Sequence, residues 1–70
     1  MSSDGPSLNP EMPTVARESR GLSIAELAEL ASVSTAMLSR VEGGIRQPSP
    51  EALSRIADAL GYPESFLRQA

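Results

Sequence analysis

Apolar positions recur along most of this chain at the spacing of one helix face. Ile24, Leu27, Ala28 and Ala31 fall at i, i+3, i+4 and i+7, and Leu53, Ile56, Ala57 and Leu60 repeat that stripe. Leu38 and Val41 form a shorter version between them. No segment alternates apolar and polar with the period of a strand. Start signals sit where the stripes begin. Ser23 and Glu26 make a Ser-x-x-Glu capping box for a second helix. Ser34 caps a third over Thr35 to Glu42, closed by Gly43-Gly44. After a polar loop from Ile45 to Ser49, Ser49 caps a fourth with Pro50 first and Glu51 in its first turn; Gly61 stops it. Pro63 opens a short fifth carrying Phe66 and Leu67.

The first helix is less sharply drawn. Asn9 before Pro10 is a start signal, Gly21 a stop, and Val15 with Ala16 the apolar face. Pro13 removes a helical N–H and biases Met12 towards extended backbone, so a start near Asn9 and a start at Pro13 both stay open. Residues 1–8 have no periodicity and read as a disordered tail, leaving 9–70 as the folded domain. The expected architecture is all-α, five short helices in one compact domain.

Composition narrows the chemistry. Seventy residues make one domain with a small core. With no cysteine and no histidine, zinc fingers, thiol chemistry and Ser–His–Asp catalysis are excluded. The acids are scattered, without a pair placed for acid–base work. We expect no enzyme, no cofactor and no metal. No apolar run reaches the ~20 residues of a membrane span, and no signal-peptide pattern opens the chain. The expected compartment is the cytoplasm. Nine acids against six arginines give a net charge of −3, the opposite of what a nucleic-acid binder usually carries.

The second and third helices are joined by only Ser32-Val33-Ser34, a helix-turn-helix spacing. Ala28 is small where the two helices cross, Val33 plugs their corner, and Leu27, Ala31, Leu38 and Val41 fill the space behind. Thr35, Ala36, Ser39 and Arg40 are left on the outer face of the third helix. Small and polar side chains there suit the DNA major groove, ~12 Å wide.

Arg20-Gly21-Leu22-Ser23, Glu26-Leu27-Ala28, Val33-Ser34, Leu38-Ser39, Val41-Glu42 with Gly44, Pro48-Ser49, and Leu53 through Ile56-Ala57 to Leu60-Gly61 follow in order without gaps. Over Leu22 to Leu67 the chain resembles the lambda-repressor-like (Xre/Cro-type) helix-turn-helix family. Its two ends, Leu8-Asn9-Pro10-Glu11-Met12 and Tyr62-Pro63 with Ser65-Phe66, resemble the N-terminal DNA-binding domain of regulators linked to an ImmA/IrrE-type peptidase. The resemblance implies a transcriptional regulator, most simply a repressor, that binds double-stranded DNA as a homodimer. It implies base contacts by Thr35, Ala36, Ser39 and Arg40. Phosphate contacts fall to Ser23, Ile24, Ser34, Arg46 and Gln47, and a dimer contact to Tyr62, Phe66 and Leu67. Arg17 and Glu42 match a structural ion pair.

Three departures follow. Ile24 stands where the family usually has Gln, and its side chain cannot brace a phosphate. Ser32 replaces the usual turn glycine; if the turn needs a left-handed residue there, Ser carries a cost. Leu30, Met37 and Ile45, with Ile24, are apolar where polar residues are commoner. That set supports a rival reading, in which the fold acts mainly through a protein partner or as an antitoxin. A C-terminal domain beyond this chain is a further possible partner.

Overall fold

The computed structural model describes residues 8–68. Residues 1–7, nearly all of the expected tail, lie outside the described residues. The described residues form α1 (Glu11–Ser19), α2 (Ile24–Ala31), α3 (Thr35–Glu42), α4 (Pro50–Leu60) and α5 (Glu64–Leu67), with no strand among them. The helical stripes point inward as their spacing requires. Leu27, Ala28, Ala31, Leu38, Val41, Leu53, Ile56, Ala57 and Leu60 share one core with Ala16, Leu67 and Leu8. Helix α2 packs on α3 and α4, α5 closes on α4, and α1 touches α3, α4 and α5.

Leu8 corrects the domain boundary. Assigned to the tail, it is only 3% exposed and belongs to the core. Its backbone is bonded by the side chain of Gln47, and the N–H of Asn9 donates to the carbonyl of Leu67 at 2.8 Å. A single leucine preceding a helix has no period to betray it, and its burial depends on contacts with residues far along the chain.

Helix α1 begins at Glu11, so Pro13 does not shorten it. Pro13 is the third residue, where no N–H has an intrahelical partner in any helix, and its ring is buried. Asn9 keeps a starting role, its Oδ1 accepting the Glu11 N–H at 3.1 Å. The inward face is Pro13 and Ala16, three apart. Val15, expected inward, is half exposed.

The starts of α2, α3 and α4 carry the expected caps. Ser23, Ser34 and Ser49 each accept from the N–H three residues on, and Glu26 returns the bond to Ser23. Between α2 and α3, Ser32 adopts φ 58°, ψ 41°, the left-handed conformation a glycine would take without strain. That geometry lets the Val33 N–H reach the Ala28 carbonyl at 3.0 Å, closing the turn. At the end of α4, Gly61 has φ +74°, and a Cβ there would stand 3.2 Å from the Arg20 guanidinium. Arg20 lies close because it caps α4: its Nε donates to the Leu60 carbonyl at 2.8 Å, and its guanidinium stacks 4.6 Å above the Tyr62 ring.

Between α1 and α3 lies the expected ion pair. Arg17 Nε and Nη2 donate to the two carboxylate oxygens of Glu42 at 2.9 and 3.0 Å. Thr14 donates its hydroxyl to Glu42 Oε1 at 2.8 Å, and Arg17 Nη1 caps the Leu22 carbonyl at 2.9 Å. The hydrogen bond with Glu42 raises the guanidinium's pKa above its ordinary value, against the opposing effect of burial.

Candidate nucleic-acid interface

Helix α3 has two unlike faces. Leu38 and Val41 are buried, and Met37 packs against the core at its edge. Thr35, Ala36, Ser39 and Arg40, spaced i, i+1, i+4 and i+5, are all exposed. The core holds one side of the helix, so the rotation that presents the other four is fixed by packing. Ser34 ends the helix with a hydroxyl bound to the Met37 N–H at 3.0 Å. In the first turns of α2 and α3 the leading amides, such as Ile24, Ala25, Thr35 and Ala36, have no carbonyl one turn back to receive them.

The arginines divide into two groups. Arg17 is bound to Glu42, Arg55 to Glu51 and Arg68 to Glu64, while Arg20 caps α4. Arg40 and Arg46 have no acid partner among the described residues, and both are exposed. The backbone joins them: the Arg40 carbonyl accepts from the Ile45 N–H at 2.9 Å and the Arg46 N–H at 3.3 Å. Gly44, at φ +76°, makes that reversal of the chain possible. Residues 32–50 hold two arginines and one acid, a net +1; the remaining four arginines and eight acids give −4. The one acid in the segment, Glu42, is neutralised by Arg17. An acidic chain thus presents α3 and its following loop as a locally cationic edge.

The other expected contacts fare differently. Ser23 is engaged in its capping box, its N–H bound by the Glu26 carboxylate at 2.8 Å, and that carboxylate repels an approaching phosphate. Ile24 is half buried against the core and offers only its backbone N–H. Gln47 is tethered by its side chain to the backbone of Leu8, Oε1 accepting at 3.0 Å and Nε2 donating at 3.1 Å, which leaves the second N–H of the amide for any phosphate contact. Leu67 is a correction. It is fully buried, the floor between α5 and the core, and cannot form a dimer contact. Tyr62 and Phe66 are half-buried against the core, their rings tilted at 34° with centroids 4.5 Å apart. The Tyr62 hydroxyl lies 3.0 Å from Ser19 Oγ. Of the four apolar residues at the outer faces, Ile24 and Met37 join the edge of the core, while Leu30 and Ile45 are 60% and 79% exposed.

Sequence reasoning missed Thr14 in the Glu42 cluster, the capping role of Arg20 and the Leu8–Gln47 pairing. Only the aliphatic character of Leu8, isolated in a polar stretch, could have drawn attention to it.

No helix of the described residues is long and apolar enough to cross a membrane, and no group of acids among them is placed to hold a metal ion. The chain matches a helix-turn-helix family model, HTH_3, over residues 16–67. It is similar to the transcriptional regulator ClgR of Mycobacterium tuberculosis, 44% identical over 52 residues, covering 74% of this chain and 46% of ClgR. Among solved structures it is similar to the N-terminal DNA binding domain of SinR from Bacillus subtilis. That match has a TM-score of 0.82 at 27% identity and covers 87% of this chain and 90% of the other. SinR in complex with DNA superposes with the same TM-score, 0.82, at 28% identity, covering 86% and 97%. The restriction-modification controller protein C.AhdI from Aeromonas hydrophila gives a TM-score of 0.80 at 28% identity, covering 83% of this chain and 88% of that one. The chain spans 31% to 46% of the length of the curated relatives it matches.

Proposed function

The chain belongs to the HTH_3 helix-turn-helix family, and on that premise we propose that it is the DNA-binding domain of a transcriptional regulator. It reads an operator by seating α3 in the major groove. Thr35, Ala36, Ser39 and Arg40 face the base edges. Arg46, with the leading amides of α2 and α3 and the Ser34 cap, faces the phosphates. The observation that carries this reading is the sorting of the arginines. The two without an acid or a capping role stand on the exposed face of α3 and in the loop that follows it. SinR, solved in complex with DNA, is similar over most of this chain and supports the same use.

The proposal includes a two-fold dimer that represses by occupying its operator. Tyr62 and Phe66, half-buried just before and within α5, are its contact, without Leu67. A dimer sets two α3 helices about one DNA turn apart, roughly 34–36 Å, and calls for a palindromic site. A second reading has an observation of its own: the exposed Leu30 and Ile45 favour a protein partner acting beside or instead of DNA.

Selection from a randomised duplex pool tests the proposal, with Arg40→Ala as the control. The expected outcome is an enriched palindrome whose guanine preference the control loses, about 1–3 kcal/mol of discrimination for a bidentate arginine. A folded wild-type domain that enriches nothing at low salt refutes it and leaves the protein-partner reading.

A further inference from the structure

The loop between α3 and α4, residues 43–49, carries Arg46, and its two halves are held differently. The first half is fastened to α3 through the Arg40 carbonyl. In the second half, Gln47 and Pro48 make no backbone–backbone hydrogen bond among the described residues. Ser49 is fixed as the cap of α4, and between it and the first half the chain is held by the Gln47 side chain. Its Oε1 accepts the Leu8 N–H at 3.0 Å and its Nε2 donates to the Leu8 carbonyl at 3.1 Å, across 39 residues of sequence. One planar amide thus matches both polar groups of one residue, a pairing that needs a donor and an acceptor side by side. Leu8 is itself immobilised. Its side chain is in the core, Asn9 is bonded to the carbonyl of the buried Leu67, and Pro10 lies against Gly44, where a Cβ would stand 3.5 Å from its ring. The exposed loop is therefore tied through Leu8 to the centre of the domain.

We propose that Gln47 is a positioning residue for DNA: its clamp on Leu8 fixes the loop so that Arg46 meets the phosphate backbone already in place. This rests on the reading of α3 as the DNA-reading helix. Gln47 itself does not touch nucleic acid. It acts through Arg46, by removing the ordering cost that a free loop would incur on binding.

The test is a double-mutant cycle on Arg46→Ala and Gln47→Met, read by binding to a random-sequence duplex of about 20 base pairs, because a phosphate contact is independent of sequence. Methionine keeps the side chain's length and packing and removes both hydrogen bonds. Circular dichroism at the assay temperature establishes that each variant is folded. The expected result is that each single variant weakens binding about three- to tenfold. Each should also lower the slope of log K against log salt by about 0.9, the share of one phosphate. The double variant should lose no more than Arg46→Ala alone. If Arg46→Ala costs the same fold-change in both backgrounds, the loop does not depend on the clamp and the proposal falls. Amide exchange tests the clamp without DNA. The Leu8 N–H should be protected in the wild type and released in Gln47→Met, and free exchange in the wild type overturns the clamp. Failure of the wild type to bind any duplex at low salt overturns the positioning role together with the proposed function. Protection at Leu8 would then show that the clamp itself stands.

Discussion

Glu42→Gln is the substitution whose cost the structure defines most sharply. Glu42 is 7% exposed and Arg17 13%, and the carboxylate accepts three hydrogen bonds of 2.8–3.0 Å. Its Oε1 serves Thr14 and Arg17 Nη2, and its Oε2 serves Arg17 Nε. A glutamine of the same shape must put an NH₂ where one of these oxygens stood, donor against donor, and leaves Arg17 with no counter-charge. Breaking a fully buried pair from one side costs about 3–5 kcal/mol, and losing an exposed pair costs about 0–1. This pair lies near the buried end, so about 2–3 kcal/mol is expected, out of a total of about 4–10 for a domain of this size. At about 4–8 °C per kcal/mol, the melting temperature should fall by about 8–24 °C. Thermal and urea unfolding followed by circular dichroism measure it, and Arg17→Met with the double variant completes a cycle. A coupling below about 0.5 kcal/mol, the level of an exposed pair, would refute the argument that this cluster locks α1 to α3.

Further outcomes follow from single features of the fold. Ser32→Gly relieves a left-handed non-glycine, worth about 1–2 kcal/mol, against about 0.5–1 lost to the flexibility of the unfolded chain. A rise in melting temperature of a few degrees is expected in calorimetry, and a fall would count against the strain. Leu67→Ala opens a cavity under α5 and should cost about 2–5 kcal/mol in urea unfolding, whereas Leu30→Ser, on the surface, should stay within about 0.5. Equal costs for the two would contradict the burial of Leu67. The raised pKa of Arg17 puts its stabilising contribution in force at every pH below the ordinary guanidinium range, and the contribution is lost only in stronger alkali. With no histidine or cysteine in the chain, the melting temperature should be level between about pH 6 and 9. A slope there would show a titrating group that this account lacks.

The local part of the fold was legible in the sequence, because each signal acts within one turn of its cause. Ser23 with Glu26, Ser34, and Ser49 with Pro50 mark their helices unaided, and the stripes around Leu27 and Ile56 give the inward faces. The exposed face of α3 followed by subtraction once Leu38 and Val41 were assigned to the core. The left-handed Ser32 and the Arg17–Glu42 pair became legible through the family resemblance, since no local pattern reveals a bond across 25 residues. What stayed illegible lies in other long-range pairings. Leu8 finds Gln47, Asn9 finds Leu67, and Arg20 finds the end of α4. Each joins single residues without period or motif. Two site residues show the same limit: Gln47 is polar and in the expected loop but is tethered to Leu8, and Leu67 is apolar and in the expected helix but is buried in the core.

Internal pairing also explains how a chain of net charge −3 can offer itself to a polyanion. At physiological ionic strength a charge is felt over about 8 Å, so a phosphate near α3 responds to that helix and its loop rather than to the whole surface. The fold removes Glu42 from that neighbourhood by turning it inward to Arg17, and it leaves Arg40 and Arg46 outward without acids. The ion pair therefore has two effects. It fastens α1 to α3, and it cancels the only negative charge between Ser32 and Pro50. Releasing Glu42 to the surface would weaken the fold and bring a carboxylate to the cationic edge. Glu42→Gln separates the two effects, because it removes the negative charge while losing the fastening. If the proposed function holds, the variant, kept cool enough to stay folded, should bind DNA no worse than the wild type although it melts earlier. Weakened binding by the folded variant would mean that the setting of α3 against α1, rather than the charge balance, governs the interface.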